Sequence, residues 1–200
     1  MASSINASVS GAGGVITTAD NTGILNLQSG GSNIATISST GLALNAGNIT
    51  LPSGAAPAFS AYLSATMGSI SSGVDTKITY QTEEFDTGGC FNNTASTVTL
   101  NGISTPSYSF APNVAGYYQI NAIFRADNSP TRQIVYLYKN GAYLKTGNDI
   151  TGSAGVTLVL CCLVYANGTS DTFAIYGFAQ GSPTVASTAN TFSAAMVRSA

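Results

Sequence analysis

The residue types that most often carry catalysis are scarce in this sequence. Its 200 residues include no His, six Lys and Arg residues together, and eight Asp and Glu residues together. Histidine is the commonest general base and metal ligand, so one chain cannot assemble a Ser–His–Asp or Cys–His nucleophile. A Ser–Lys pair would have to use Lys77, Lys139 or Lys145, and no spacing supports one. The sequence therefore predicts no catalytic residues and a protein that is not an enzyme.

The densest group of carboxylates consists of Glu83, Glu84 and Asp86, with Asp75 upstream. A glycosidase needs two carboxylates about 5–10 Å apart in a cleft, whereas neighbours such as Glu83 and Glu84 point to opposite sides of a strand. We interpret the group as a charged sheet edge that discourages strand pairing. Calcium bound by these hard oxygen ligands is the alternative.

The three cysteines do not form a disulfide framework. Their number is odd, and Cys161 and Cys162 are adjacent, while Cys90 stands alone. Disulfide frameworks need paired and spaced cysteines, and no His is present to complete a metal site with these thiols. We predict free buried thiols, no metal ligands and no cofactor.

The most concentrated polar feature outside the acidic group is a loop, residues 126–131, flanked by Arg125 and Arg132. Asp127 and Asn128 can hydrogen-bond the hydroxyl groups of a sugar, and an arginine can pair with a carboxylate or phosphate through two parallel hydrogen bonds. The pattern predicts that Arg125, Asp127, Asn128 and Arg132 bind a receptor. An ordinary hairpin loop with solvated charges is the alternative.

Charge and hydropathy exclude several classes of partner. Charged residues make up 7% of the chain, against about 25% in a typical protein, and the isolated basic residues form no stripe that would bind nucleic acid. The longest apolar run, residues 158–166, is far shorter than the roughly 20 residues that span a bilayer, and residues 1–6 do not resemble a signal peptide. We expect no nucleic-acid partner, no membrane insertion, synthesis in a host cytoplasm, and a subunit of a permanent assembly rather than a hydroxyl-rich monomer.

Residues 1–56 differ from the rest of the chain because they contain one charged residue, Asp20, and no aromatic residue. Short aliphatic runs separated by turn residues predict strands, and each run carries too few aliphatic side chains to bury itself. Identical copies around a threefold axis would supply the missing contacts. A flexible linker, mainly over residues 1–14, is the alternative. The predicted strands are residues 14–18, 24–27, 33–37, 42–44 and 49–51.

Residues 57–200 contain longer and more aromatic strands. Residues 116–125 alternate, which predicts that Tyr118, Ile120, Ala122 and Phe124 share a buried face. The dipeptide Asn140–Gly141 between two alternating runs predicts a hairpin. Residues 156–165 are apolar on both faces, so we expect a central strand that is covered on each side. About ten strands at this spacing indicate a sandwich or jelly roll.

Five motifs in the same order make residues 57–200 resemble the globular jelly-roll head of the complement component q and tumour necrosis factor superfamily. The chain departs from that pattern by an insertion at residues 92–106 and by the absence of a collagen stalk before the head. The resemblance implies a ten-strand antiparallel jelly roll that trimerises through aromatic and aliphatic faces, binds partners with its outer loops and catalyses nothing. The motifs are residues 57–63, 85–91, 110–118, 137–141 and 191–197.

Residues 1–56 in turn resemble the N-terminal stems of bacteriophage fibre proteins, most clearly at residues 41–54. Together the two resemblances imply a homotrimeric virion protein with a short β-rich stem and a terminal head. The N-terminal region would attach to capsid or tail proteins, and the head would bind a host surface glycan or protein. A head fibre and a tail fibre both remain open. A soluble lectin-like or signalling head and a purely structural capsid decoration are the alternatives.

Overall fold

The computed structural model describes residues 24–29, 32–44, 56–128, 130–152, 156–185, 187 and 190–200. These residues form sixteen β-strands and no helix, which confirms the prediction of an all-β fold. No helix of the described ranges could therefore cross a membrane. The chain divides into two compact units, Met1–Thr50 and Leu51–Ala200. The predicted division after residue 56 stays a prediction, because residues 45–55 lie outside the described ranges.

The first unit contains a three-stranded antiparallel sheet with the strands in chain order. Its strands are β1 (Leu25–Ser29), β2 (Ser32–Ser38) and β3 (Gly41–Leu44). These strands confirm the predictions over residues 24–27, 33–37 and 42–44. The runs predicted at residues 14–18 and 49–51 lie outside the described residues.

The sheet of the first unit is amphipathic. The strand register pairs Leu25 with Ile37 and Ile37 with Leu42, and because side chains alternate across a strand, these aliphatic side chains share one face. The opposite face is more polar, since the Thr36 hydroxyl donates to Asn26 at 2.9 Å there, and it also carries Ile34. Leu25, Ile37 and Leu42 are all exposed, whereas Ala35, which shares their face, is buried.

The second unit is built from thirteen of the described strands. Most are short at the start of the unit and reach eight to ten residues in its second half. In chain order they are β4 (Ala58–Tyr62), β5 (Thr76–Lys77), β6 (Thr82–Asp86), β7 (Phe91–Asn92), β8 (Val98–Leu100), β9 (Ile103–Thr105), β10 (Ser109–Phe110), β11 (Gly116–Arg125), β12 (Arg132–Lys139), β13 (Ala142–Thr151), β14 (Thr157–Ala166), β15 (Phe173–Gln180) and β16 (Thr191–Ser199).

Two antiparallel sheets pack against each other in the second unit. The first sheet has the order β14-β11-β16-β4-β6, and the second has the order β13-β12-β15-β10-β7 with β5 paired to β15. A small hairpin, β8-β9, occupies the predicted insertion at residues 92–106. Non-sequential neighbours in both sheets are typical of a jelly roll, which confirms the predicted fold class.

Aromatic side chains fill the space between the two sheets. The Phe59 ring stacks on Phe91 with 4.4 Å between ring centroids and meets Phe192 edge-on at 4.8 Å. Tyr118 and Phe124 are fully buried. The predicted inward face of residues 116–125 is therefore confirmed, since Ile120 and Ala122 are buried with them.

The expectation that residues 156–165 form a central strand covered on both sides is wrong. Strand β14 lies at the edge of the first sheet, and its burial alternates along its length. Val159, Leu163 and Tyr165 point outward and are between 45% and 48% exposed. An apolar run on both faces of a strand indicates that both faces avoid water, but it does not specify that the same chain covers them.

The predicted hairpin at Asn140–Gly141 is confirmed. Asn140 has φ 53° and Gly141 has φ 78°, the positive pair that a type I′ turn requires. The Asn140 side chain also accepts a hydrogen bond from the Thr172 amide at 2.7 Å and donates to Asp171 at 2.9 Å. Asp171 is buried and forms an ion pair with Lys139 at 2.8 Å, so the turn is fixed to the loop before β15.

We expect Phe124→Ala to lower the free energy of unfolding by about 3–5 kcal/mol, because the substitution leaves a cavity in a packed core. The site has little room to adjust, since a Cβ atom at Gly177 would lie 2.5 Å from the Phe124 ring. Chemical denaturation at one protein concentration measures the change. The control is Val74→Ala at a residue 51% exposed, where a change within about 0.5 kcal/mol is expected. If Phe124→Ala and the wild type were equally stable, Phe124 would not face the core, and the assignment of the buried face of β11 would be wrong.

Protonation of Asp171 should lower the stability of the protein in acid. Burial alone would raise the pKa of Asp171, but hydrogen bonds from Lys139, Asn140 and the Asn167 amide outweigh burial and lower it. A lowered pKa in the folded state contributes stability above the unfolded pKa of about 3.9, and this contribution is lost as pH falls through the folded value. Asp171→Asn should cost about 1–3 kcal/mol at neutral pH and flatten the loss of stability below pH 4.

The matched control for this pH dependence is Asp127→Asn, which makes the same charge change in an exposed ion pair. It should leave both the neutral stability and the acid dependence close to wild type. Denaturation curves across the acid range give both quantities. An Asp171→Asn variant with an unchanged acid dependence contradicts the assignment.

Candidate functional site

The predicted receptor-binding loop joins the two sheets of the second unit. Arg125 is the last residue of β11, and Arg132 is the first residue of β12. The Arg125 amide donates to the Asn190 side chain at 2.8 Å, and the Asp127 amide donates to the Thr184 carbonyl at 2.8 Å. These hydrogen bonds fix the backbone at the start of the loop, so its side chains project from a defined position.

The structure brings the four predicted residues to one end of the fold and gives each of them a partner within the chain. Arg125 pairs with Asp127 at 3.1 Å. Arg132 donates two hydrogen bonds to Asp149, at 2.9 and 2.6 Å, and these bonds lower the pKa of Asp149. Asn128 donates to the Thr184 hydroxyl at 3.0 Å. An incoming anion would have to compete with both carboxylates, and receptor binding by this loop stays a prediction.

The acidic group at residues 83–86 lies on β6, the strand at the other edge of the first sheet. Asp86 accepts hydrogen bonds from the Phe91 amide at 2.8 Å and the Gly88 amide at 3.2 Å, and Glu84 accepts from the Ser60 hydroxyl. Burial, and secondly the charge of Asp86, raise the pKa of Glu83. Across the described ranges no group of three Asp, Glu, Cys or His side chains is arranged to hold a metal ion. The position of the group fits the interpretation as a charged sheet edge.

The three cysteines are free. Cys90 is buried, as predicted, but Cys161 is exposed and Cys162 is only partly buried. The prediction of buried thiols is therefore wrong for Cys161, because adjacent residues of β14 face opposite sides and the outward side is not covered.

Part of the outward face of the first sheet, along β14 and the start of β11, is apolar and exposed. We call it the outer apolar face and define it by Tyr117, Val159, Cys161, Leu163 and Tyr165. The two tyrosine rings contact each other across β11 and β14, with 5.6 Å between centroids. No outward position of β14 is charged, but the Lys145 ammonium group donates to the Leu163 carbonyl at 2.9 Å, and the Lys139 ammonium group lies over the Tyr165 ring. The outward positions of β11 include the polar Gln119 and Asn121 and end with Arg125. The sequence signal for this face was the run at residues 156–165, which is apolar at both its inward-facing and its outward-facing positions.

The outward face of the second sheet carries four tyrosines that the sequence reasoning did not assign to a surface. Tyr138 stacks on Tyr176 with 4.0 Å between centroids, and Tyr143 meets Tyr136 edge-on at 5.7 Å. We call these four residues the tyrosine surface. The alternation of residues 134–138 was a usable signal for it, but the partner strands that complete it come from distant parts of the chain.

A pocket of about 110 Å³ adjoins the tyrosine surface. Ala174 lines this pocket beside two residues of the tyrosine surface, because it pairs with Tyr138 in the ladder and precedes Tyr176 by two residues on the same strand. Lys77 reaches the pocket from β5, whose register pairs it with Tyr176. The lining residues are Lys77, Pro106, Ser109, Tyr138, Gly141, Thr172, Ala174 and Tyr176.

Comparisons with known proteins identify the fold. A scan against protein-family models finds no match, and a search of curated proteins finds none either. Among solved structures, the globular domain of the zebrafish complement 1qA protein is 16% identical and has a TM-score of 0.50, and the match covers 72% of this chain and 99% of that chain.

Two ligands of the tumour necrosis factor class also match, with lower TM-scores. Murine APRIL is 9% identical with a TM-score of 0.48, covering 71% of this chain and 99% of that chain. The Eiger TNF of S. frugiperda is 10% identical with a TM-score of 0.46, covering 72% and 93% of the two chains.

The second unit thus has an all-β jelly-roll fold similar to that of the zebrafish complement 1qA globular domain. The likeness to the zebrafish domain establishes the fold, and it confirms the resemblance predicted from the five sequence motifs. The resemblance of residues 1–56 to phage fibre stems stays a prediction.

Proposed function

We propose that the protein is a homotrimeric bacteriophage fibre or spike subunit that projects from the virion and binds the host cell surface. Residues 1–56 would form the stem and attach to capsid or tail proteins, and residues 57–200 would form the head. The observation that carries this proposal is the outer apolar face, whose apolar side chains are about half exposed in a single chain.

Self-association explains why the outer apolar face exists. A charged fraction of 7% leaves few groups to keep such a face soluble. Covering apolar surface contributes about 25 cal/mol per Å², so the half-exposed Val159, Leu163 and Tyr165 together favour a permanent contact between copies. The resemblance to complement q heads implies that the number of copies is three.

The sheet of the first unit supports the same assembly independently. The side chains of Leu25, Ile37 and Leu42 on its aliphatic face are also exposed. A three-stranded sheet with one open aliphatic face is marginal alone, and identical copies around an axis would cover it. Both units of the chain therefore carry a surface suited to other copies of the same chain.

The virion setting rests on the stem. Its short aliphatic strands, its single charge in residues 1–56 and its resemblance to phage fibre stems fit a projection from a particle better than a freely diffusing signal. The head would then present its loops and the outward face of its second sheet away from the particle. This reading covers both a head fibre and a tail fibre.

The assembly prediction is a mass of about 60 kDa in light scattering, three times the chain mass of 20.2 kDa. Val159→Lys should lower the mass toward that of the monomer, because it places three charges in a buried contact. The control Val74→Lys introduces the same charge at a residue of similar exposure, 51% against 47%, and should keep the mass of the wild type. A thermal melt verifies that both variants are folded. A wild-type mass of one chain at micromolar concentration contradicts the trimer.

The host-binding prediction is that purified protein adsorbs to cells of the bacterial host. Replacing Arg125, Asp127 and Arg132 together by Ala should reduce adsorption if the loop contacts the receptor. Lys145→Ala is the control, because it makes the same change of −1 in net charge away from the loop. Unchanged adsorption of the triple variant excludes the loop as the receptor site. If the wild-type protein does not adsorb, the host-binding function is contradicted, and a purely structural capsid decoration becomes the better proposal.

A further inference from the structure

We propose that the pocket over Ala174 binds a carboxylate-bearing sugar ring, with Lys77 as the partner of the carboxylate and the tyrosine surface as the contact for the rest of the saccharide. No residue of the loop at Arg125–Arg132 lines the pocket, although the Arg132–Asp149 pair lies near Tyr136 of the tyrosine surface. The proposal rests on the outer surface of the second sheet and holds for a monomer or a trimer.

The pocket exists because one position on an otherwise aromatic face is small. Tyr138 pairs with Ala174 across the ladder, and Tyr176 follows Ala174 by two residues on the same strand. The Ala174 methyl group leaves open a volume that a larger side chain would fill. Gly141, Thr172, Pro106 and Ser109 also line this volume. Pockets that bind small ligands typically have such mostly apolar walls with a few fixed polar groups.

Lys77 gives the pocket its preference for an anion. Its ammonium group donates to the Ser107 carbonyl at 3.1 Å and the Ser109 hydroxyl at 3.5 Å, which leaves one of its three N–H donors. Lys139 and both loop arginines pair with Asp residues, whereas Lys77 forms no ion pair with any described residue.

Partial burial makes this missing counter-charge costly. Lys145 and Arg198 also lack ion pairs among the described residues, but both are exposed, while Lys77 is partly buried. Burial lowers the pKa of Lys77, since a cation removed from water loses solvation. A ligand carboxylate in the pocket would compensate that loss.

The tyrosine surface fits a sugar beside the carboxylate. Tyrosine combines an apolar ring with a hydroxyl that donates and accepts, and a sugar combines C–H faces with hydroxyl groups. The Tyr138 hydroxyl donates to Asp75 and the Tyr143 hydroxyl contacts the Thr146 hydroxyl. The hydroxyls of Tyr136 and Tyr176 form no hydrogen bond with the described residues, so both are available to a ligand.

The charges around the pocket limit the number of anionic groups that the ligand can carry. Asp75 lies beside Tyr138, and the chain carries a net charge of −2. One partly buried cation next to a carboxylate suits a ligand with a single anionic group better than a polyanion. An acidic monosaccharide unit within a neutral glycan meets this condition.

The test is calorimetric titration of the full chain with methyl glucuronide and methyl glucoside, which differ only in the carboxylate. We expect the glucuronide to bind at least about tenfold more tightly, a difference of about 1.4 kcal/mol. Lys77→Gln should remove this preference, and Ala174→Leu should abolish binding of both sugars by filling the pocket. Lys145→Gln, which removes the same charge from an exposed position, should bind like the wild type.

Three results overturn the proposal. One is equal binding of glucuronide and glucoside by the wild type, or no binding of either. Another is wild-type binding by folded Lys77→Gln and Ala174→Leu variants. The third is equally tight binding of an N-acetylglutamate amide, which would make the pocket a carboxylate site without sugar recognition. None of these results bears on the mass of the assembly or on the virion, so this proposal and the proposed function fail separately.

Discussion

The packing of aromatic side chains between two antiparallel sheets is the constraint on which the head depends. Phe59 contacts both Phe91 and Phe192, and these rings link strands of the two sheets that lie far apart in sequence. At the other end of the core, Phe124 packs against the backbone of Gly177, where no Cβ atom would fit. Because dense packing tolerates small changes in volume poorly, this core fixes how the sheets oppose each other. It thereby fixes which side chains of every strand point outward.

The two outward faces then have different chemistry. The outer apolar face of the first sheet presents Val159, Leu163 and two contacting tyrosines, with Lys139 and Lys145 beside Tyr165 and Leu163. The second sheet presents tyrosines with hydroxyl groups, a pocket and a partly buried lysine. One face is suited to contact with copies of the same chain, and the other is suited to a small polar ligand. A jelly roll allows this division of roles because its inner faces supply the stability and leave both outer faces available.

The few charges of the chain are used mainly within it. Three of the six basic residues form ion pairs with Asp residues, and one of these pairs, Lys139 with Asp171, fixes the hairpin at Asn140. The loop at Arg125–Arg132 looked exposed and available in the sequence, but its side chains have partners that pattern reading could not identify, such as Asp149 and Thr184. The sequence showed Lys77 only as a lysine without a partner at catalytic spacing, because its environment is built by β5, β10 and β15 together.

The sequence by itself determined the all-β class, the strands of the first unit, the inward face of residues 116–125 and the hairpin at Asn140–Gly141. These features follow from alternation and turn chemistry, which are local, and the five ordered motifs extended them to a jelly roll. Only the tertiary structure decided that β14 is an edge strand, that Cys161 faces outward, and that Tyr136, Tyr138, Tyr143 and Tyr176 form one surface. The physical reason is that strand order and register are set by non-local packing. Residues separated by some 30 to 100 positions, such as Lys77 and Tyr176, become neighbours only after the two sheets have closed on their aromatic core.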